Sequence, residues 1–145
     1  MSDDPLGSLG EILGLQVRLA HGAIQRDFAE RAAGLGLTQK QISVLWLIAE
    51  LPGVAQADLA RRLQMDRATT MALVHALERR GFVDRAPVAG DARRRGFAAT
   101  DAGRAALAMS RAVIAEHERW LRSRFSAADE TTLRSLLARI HRPEA

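Results

Sequence analysis

Between Leu59 and Thr100 the local signals change in an order that few folds accommodate. A short helical segment, roughly Gln56 to Leu63, turns Leu59, Ala60 and Leu63 inward. Asp66 then stands as an N-cap before a second helical run from Arg67 to Arg80, which Gly81 ends. Phe82-Val83-Asp84-Arg85 reads as a strand, Pro87 to Ala92 as a turn with Gly90-Asp91 at its tip, and Arg95 to Ala99 as the returning strand. Helix, helix and hairpin in this order predict a winged helix-turn-helix, so the fold class is mainly α with a small β-hairpin wing.

The rest of the chain supplies helices to support that lobe. Leu9, Leu13, Val17, Ala20, Ile24 and Phe28 recur at steps of three and four and predict one amphipathic helix of about six turns, ending in Gly34-Leu35-Gly36. Thr38 with Gln41 makes a capping box for the next helix, whose inner face carries Ile42, Leu45 and Ile48 before Leu51-Pro52-Gly53 stops it. After Thr100 a long helix runs to about Arg124, with Leu107, Ile114 and Leu121 seven apart and Val113, His117 and Trp120 beside them. Ser126 and Asp129 cap a last helix striped by Leu133, Leu136, Leu137 and Ile140. So continuous an apolar face on a short helix, joined by Leu6, Leu9 and Leu13 from the other terminus, is expected to bury itself against a second copy of the chain. The expected division is 1–37 and 101–145 for dimerisation and 38–100 for the lobe, as one intertwined domain.

Composition agrees with a packed helical protein. The chain has 145 residues, 48% hydrophobic and 26% charged, which suits a core and argues against disorder. Four Phe, two Trp and no Tyr leave that core to Leu, Ile, Val and Ala. The formal net charge is +4, and Lys40 is the sole lysine. Arginine suits phosphates and guanine edges, although a GC-rich genome gives the same bias without functional meaning. With no cysteine there is no disulfide, thiolate metal site, catalytic cysteine or thiol switch. No basic and apolar leader opens the chain, and no run reaches the roughly 18 apolar residues of a membrane span, so the expectation is cytoplasmic.

Within the run from Arg67, the stripe Thr70, Val74 and Leu77 faces inward and leaves Arg67, Ala68, Met71, Ala72 and His75 outside. Short and polar side chains let a helix approach base edges in a major groove, although an ordinary solvated face looks the same. The hairpin that follows carries Arg93, Arg94 and Arg95, suited to a minor groove where negative potential is strongest. Asp91, two residues before Arg93, reads as a strut that orients the guanidinium by a charge-assisted contact.

The ordered set Leu37-Thr38 with Gln41 and Leu45, Pro52-Gly53-Val54-Ala55-Gln56-Ala57-Asp58-Leu59-Ala60, Asp66-Arg67-Ala68-Thr69, Leu73-Val74 with Leu77-Glu78, Gly81-Phe82-Val83, Asp91-Ala92-Arg93-Arg94 and Thr100 with Gly103 resembles the MarR family of bacterial transcriptional regulators over nearly all of the chain. The resemblance implies a homodimer, a fourth helix in the major groove, and a wing arginine, here Arg93, in the minor groove. Three departures from the family pattern involve five positions. Ala55 replaces a capping Ser or Thr, Thr70 an aliphatic residue, and Met71, Ala72 and Ala76 the frequent Thr, Arg and Arg. Base reading is therefore expected from Arg67, Ala68, Thr69, Met71, Ala72 and His75 as a reduced set, with specificity leaning on the wing and DNA shape. The two-fold dimer implies an inverted-repeat operator on double-stranded DNA, with half-sites about one turn (~34 Å) apart.

The resemblance also implies a small effector, an aromatic carboxylate or its CoA thioester, bound between the helices and the lobe. Arg18, His21 and Gln25 share one stripe of the first helix, and Trp46 and His117 stand on others. Arg18 and His21 are candidates for the anionic group and Trp46 for stacking; a plain surface role for the first two and a core role for Trp46 are the alternatives. His21, His75, His117 and His141 are scattered, which argues against a zinc site, and no cofactor is implied. No nucleophile motif or phosphate loop supports an enzyme. The reading is a ligand-responsive repressor; a winged helix serving protein interaction without DNA, or a non-specific nucleoid protein, are its rivals.

Overall fold

A computed structural model describes residues 5–88 and 90–142, with the side chain of Ala92 also left aside. The element order is a 3-10 helix Gly7–Glu11, α1 Leu13–Arg31, α2 Gln39–Glu50, α3 Gln56–Leu63, α4 Arg67–Arg79, β1 Val83–Val88, β2 Asp91–Ala99, α5 Asp101–Arg122 and α6 Ala127–His141. Two compact units divide the chain: Ala29–Val113 is one, and Met1–Phe28 with Ile114–Ala145 the other. The division falls inside α1 and α5. Among the described residues no helix is long and apolar enough to cross a membrane.

In the unit Ala29–Val113, Ile42, Val44, Leu45 and Ile48 of α2, Leu59 of α3, Val74 and Leu77 of α4 and Val83 of β1 are fully buried and form the core. Helix ends follow their local chemistry. Thr38 and Gln41 close a capping box at α2. At the end of α4, Gly81 takes φ 75°, its N–H bonds the Glu78 carbonyl at 2.9 Å, and the Phe82 N–H bonds the Leu77 carbonyl at 3.0 Å. That pair of bonds is a Schellman stop. Thr100 accepts from the Gly103 N–H at 3.0 Å and donates to the Gly81 carbonyl at 2.6 Å, tying the start of α5 to the end of α4.

The hairpin is longer than the sequence suggests. β1 pairs antiparallel with β2 from Val83↔Ala99 to Pro87↔Arg95, and after a register shift Val88 pairs with Asp91. Pro87 and Val88, expected in the turn, belong to β1, and Asp91 to Arg94 belong to β2. A proline reads as a breaker, yet β1 is an edge strand, where a missing N–H costs little. The other side of β2 holds a bridge that periodicity does not foretell: Gly53 N–H bonds Phe97 O at 2.9 Å and Phe97 N–H bonds Val54 O at 3.0 Å. A Cβ at Gly96 would collide there with the Gly53 carbonyl, so glycine is required by close approach.

In the other unit, the single six-turn helix is interrupted. Gly7 at φ 57° opens a 3-10 helix containing Leu9, Ile12 is extended, and α1 starts only at Leu13. Gly7 and Gly10 lower α propensity at this end and account for the break. Leu15 and Phe28 are the buried residues of α1, while Leu13 and Val17 of the expected stripe are exposed. Helix α6 begins with the expected Ser126–Asp129 capping box and buries none of its residues.

Candidate nucleic-acid interface

The interface is built from the start of α4. Asp66 is extended at φ −68°, ψ 159°, and its carboxylate accepts from the Thr69 N–H at 2.7 Å and the Thr69 hydroxyl at 2.8 Å. These bonds, the backbone one first, hold the Asp66 carboxyl below the ordinary value of 3.8. Gln56 at the start of α3 donates to the Arg67 carbonyl at 3.3 Å and so fixes the angle between the two helices. Thr70, unusual for the pattern it resembles, is fully buried; its hydroxyl donates to the Asp66 carbonyl at 2.8 Å and is thereby satisfied.

With Thr70, Val74 and Leu77 buried, α4 turns Arg67, Ala68, Ala72 and His75 to solvent. Thr69 and Met71 are half-buried at the edges of that face. The small alanines leave the backbone approachable, and Arg67 and His75 supply hydrogen-bonding ends. His75 is not isolated. Its Nδ1 lies 3.6 Å from Glu78 Oε1, and Glu78 Oε2 lies 3.8 Å from Nε of Arg85 on β1. Glu78 belongs to the family-like set and Arg85 to the first strand, but the sequence singles out neither as a site residue; the three-residue spacing of His75 and Glu78 is the local signal for that pair.

The wing joins the same unit. Gly90 at φ 82° makes the tip, and the Asp91 carboxylate accepts from the Arg93 backbone N–H at 3.0 Å. Asp91 therefore orders the peptide at Arg93, where a contact to the guanidinium was expected, because the two-residue offset places an N–H in reach of a short carboxylate. Arg93, Arg94 and Arg95 are all exposed on β2. Three exposed charges of one sign on a narrow hairpin suit a polyanion.

The residues expected for an effector are distributed as follows. Arg18, His21 and Gln25 are exposed on α1. His117, in the same unit, is 5% exposed; its Nδ1 is 2.7 Å from Asp27 Oδ2, the Phe28 ring meets it edge-on at 5.5 Å, and Trp120 stacks at 5.8 Å. Trp46, in the other unit, is half-buried; its indole N–H donates to Glu50 at 2.8 Å and the Arg111 guanidinium covers its ring at 4.4 Å. Arg111 carries no periodic or motif signal in the sequence. Of the expected self-contact residues, Leu6, Leu9, Leu13, Leu136, Leu137 and Ile140 are exposed and Leu133 half-buried.

Comparison with known proteins agrees with this geometry. The MarR family model matches residues 35–94, from the end of the first loop to the wing arginines. The putative transcriptional regulatory protein for the hcr operon of Thauera aromatica is 31% identical over 140 residues, covering 96% of this chain and 84% of that protein. Among solved structures, the transcriptional repressor CouR bound to a 23-mer DNA duplex superposes with a TM-score of 0.86 at 34% identity, covering 97% of this chain and 100% of that one. CouR from Rhodococcus jostii RHA1 bound to p-coumaroyl-CoA gives 0.87 at 25% identity, with 96% and 98% covered. A winged helix-turn-helix with an exposed α4 face and an arginine wing, matched over its whole length by such relatives, belongs to the MarR family, a family of transcriptional regulators and not of enzymes.

Proposed function

We propose that this chain is a cytoplasmic, homodimeric repressor that binds an inverted-repeat operator and is released by an aromatic acid or its CoA thioester. The observation that carries the reading is the presence, in one compact unit, of the solvent-facing α4 residues Arg67, Ala68, Ala72 and His75 and the exposed wing arginines. Helix α4, with Thr69 and Met71 at its edges, reads the major groove. Arg93, with Arg94 and Arg95, enters the minor groove, and Asp91 orders the wing peptide. Likeness to a repressor crystallised on a DNA duplex supports the same assignment.

The test is a salt titration of binding to a palindromic duplex. The affinity should fall steeply with salt, and Arg93→Ala or Arg94→Ala should each weaken binding by about tenfold and reduce the slope by about one. Binding that is absent, or independent of salt, would favour the protein-interaction role; equal affinity for random duplex would favour a nucleoid protein.

The effector class rests on likeness to a protein that binds p-coumaroyl-CoA. Arg18 and His21, both exposed, take its anionic group in this reading. Adding p-coumaroyl-CoA, free p-coumarate and CoA separately to the DNA complex distinguishes the thioester from its parts. Release by the thioester or the acid, weakened in Arg18→Ala and His21→Ala, is the expected result.

A further inference from the structure

We infer that Glu78 is a positioning residue that sets which nitrogen of His75 faces the DNA, and that base preference at the His75 position depends on it. This rests on the reading of α4 as the groove-reading helix. Glu78, on α4, reaches along its own helix and across to the wing strand: one carboxylate oxygen is 3.6 Å from His75 Nδ1 and the other 3.8 Å from Arg85 Nε on β1. Its Oε1 is buried and has no hydrogen-bond partner among the described residues. A buried carboxylate oxygen without a donor is costly, and His75 Nδ1, at 3.6 Å, can supply one. A small turn of the half-exposed imidazole about its broad terminal torsion would bring Nδ1 within hydrogen-bond distance.

That contact has a chemical consequence. A carboxylate only accepts, so it selects the imidazole tautomer with the proton on Nδ1. The neutral ring then presents Nε2 as an acceptor. In the major groove this matches the amino group of adenine or cytosine and does not match guanine N7 and O6. The Arg85 contact, through Nε, leaves the two terminal nitrogens of that guanidinium for a phosphate and draws β1 toward the same carboxylate. Glu78 thus couples the base-reading side chain to the wing strand without touching DNA.

Glu78→Gln tests this, since the amide can donate as well as accept and no longer selects a tautomer. Binding is measured for an operator and for variants changed one base pair at a time. The expected result is a five- to tenfold loss of discrimination at one base pair per half-site, with the salt slope unchanged. In a His75→Ala background the same substitution should have no effect on discrimination. Arg85→Gln should reduce the salt slope by about one without altering base preference. A uniform loss across all operator variants, or an undiminished effect of Glu78→Gln when His75 is alanine, would overturn the inference while leaving the proposed function intact. Failure of the unaltered chain to bind any operator would overturn both. Thermal melts of each variant keep a folding defect separate from these outcomes.

Discussion

Asp66 shows how much of a helix start one side chain can settle. Its two oxygens hold the Thr69 amide and hydroxyl, and these bonds favour the ionised form. The folded pKa is thereby depressed below 3.8, so the contribution to stability is fully present above that value and is lost as pH falls through the lower folded value. The cap should consequently be insensitive to pH between about 7 and 4 and open only in stronger acid. The Thr69 amide resonance should titrate with a midpoint below 3.8, and Asp66→Asn, which keeps an acceptor of equal capping rank, should remove the titration while retaining α4. A midpoint at or above the ordinary value contradicts this account. His117 carries the opposite lesson about single residues. A histidine chosen from the sequence as an effector contact is engaged by Asp27 at 2.7 Å and packed between Phe28 and Trp120, which the one-dimensional pattern had no means of revealing, since Asp27 is 90 positions away.

Among the elements of the winged-helix lobe, α3 starts without a side-chain cap. Ala55 has the extended N-cap geometry, φ −80° and ψ 152°, and no side chain to bond the first turn. Ala55→Ser should stabilise the protein by roughly 0.5–1 kcal/mol in chemical denaturation by satisfying a first-turn N–H. A loss of stability instead would mean that the buried site has no room for the hydroxyl. The cap boxes at Thr38 and Ser126, the Asp66 cap and the Gly81 stop were all legible because each is decided within four residues of chain. Helix α3 ends less legibly, with Gln64 in the left-handed region at φ 53°, where glycine is the usual signal. The hairpin was legible in existence and in its arginines, but its register was not. Pairing of Pro87 with Arg95, the shift before Val88 and the Val54 bridge depend on strands meeting across sequence distance, and local propensity carries no record of that. The same holds at the site: Arg67 and His75 follow from helical spacing, whereas Arg85 reaches Glu78 only because β1 folds back toward α4.

At the scale of the whole molecule, the unit containing both termini leaves several large apolar residues uncovered. Leu13 is 77% exposed, Ile140 70% and Leu9 54%, and α6 buries none of its residues. Fully burying such a side chain contributes about 1.5–3 kcal/mol, so several together exceed what a lone soluble chain leaves to water. A second copy is the occupant that symmetry favours, since one patch then covers its own equivalent. A mass of twice 15.8 kDa is expected in sedimentation at micromolar concentration. Operator affinity should depend on this pairing, because two half-sites bound by one dimer share a single loss of translational freedom while two monomers lose it twice. Ile140→Glu inserts a charge into this exposed apolar set and should shift the species to monomer, with operator binding falling by at least about a hundredfold while binding to a single half-site changes little. If Ile140→Glu stays dimeric at ~1 μM, this face does not hold the two copies together; if it monomerises with operator affinity intact, operator binding does not depend on the pairing.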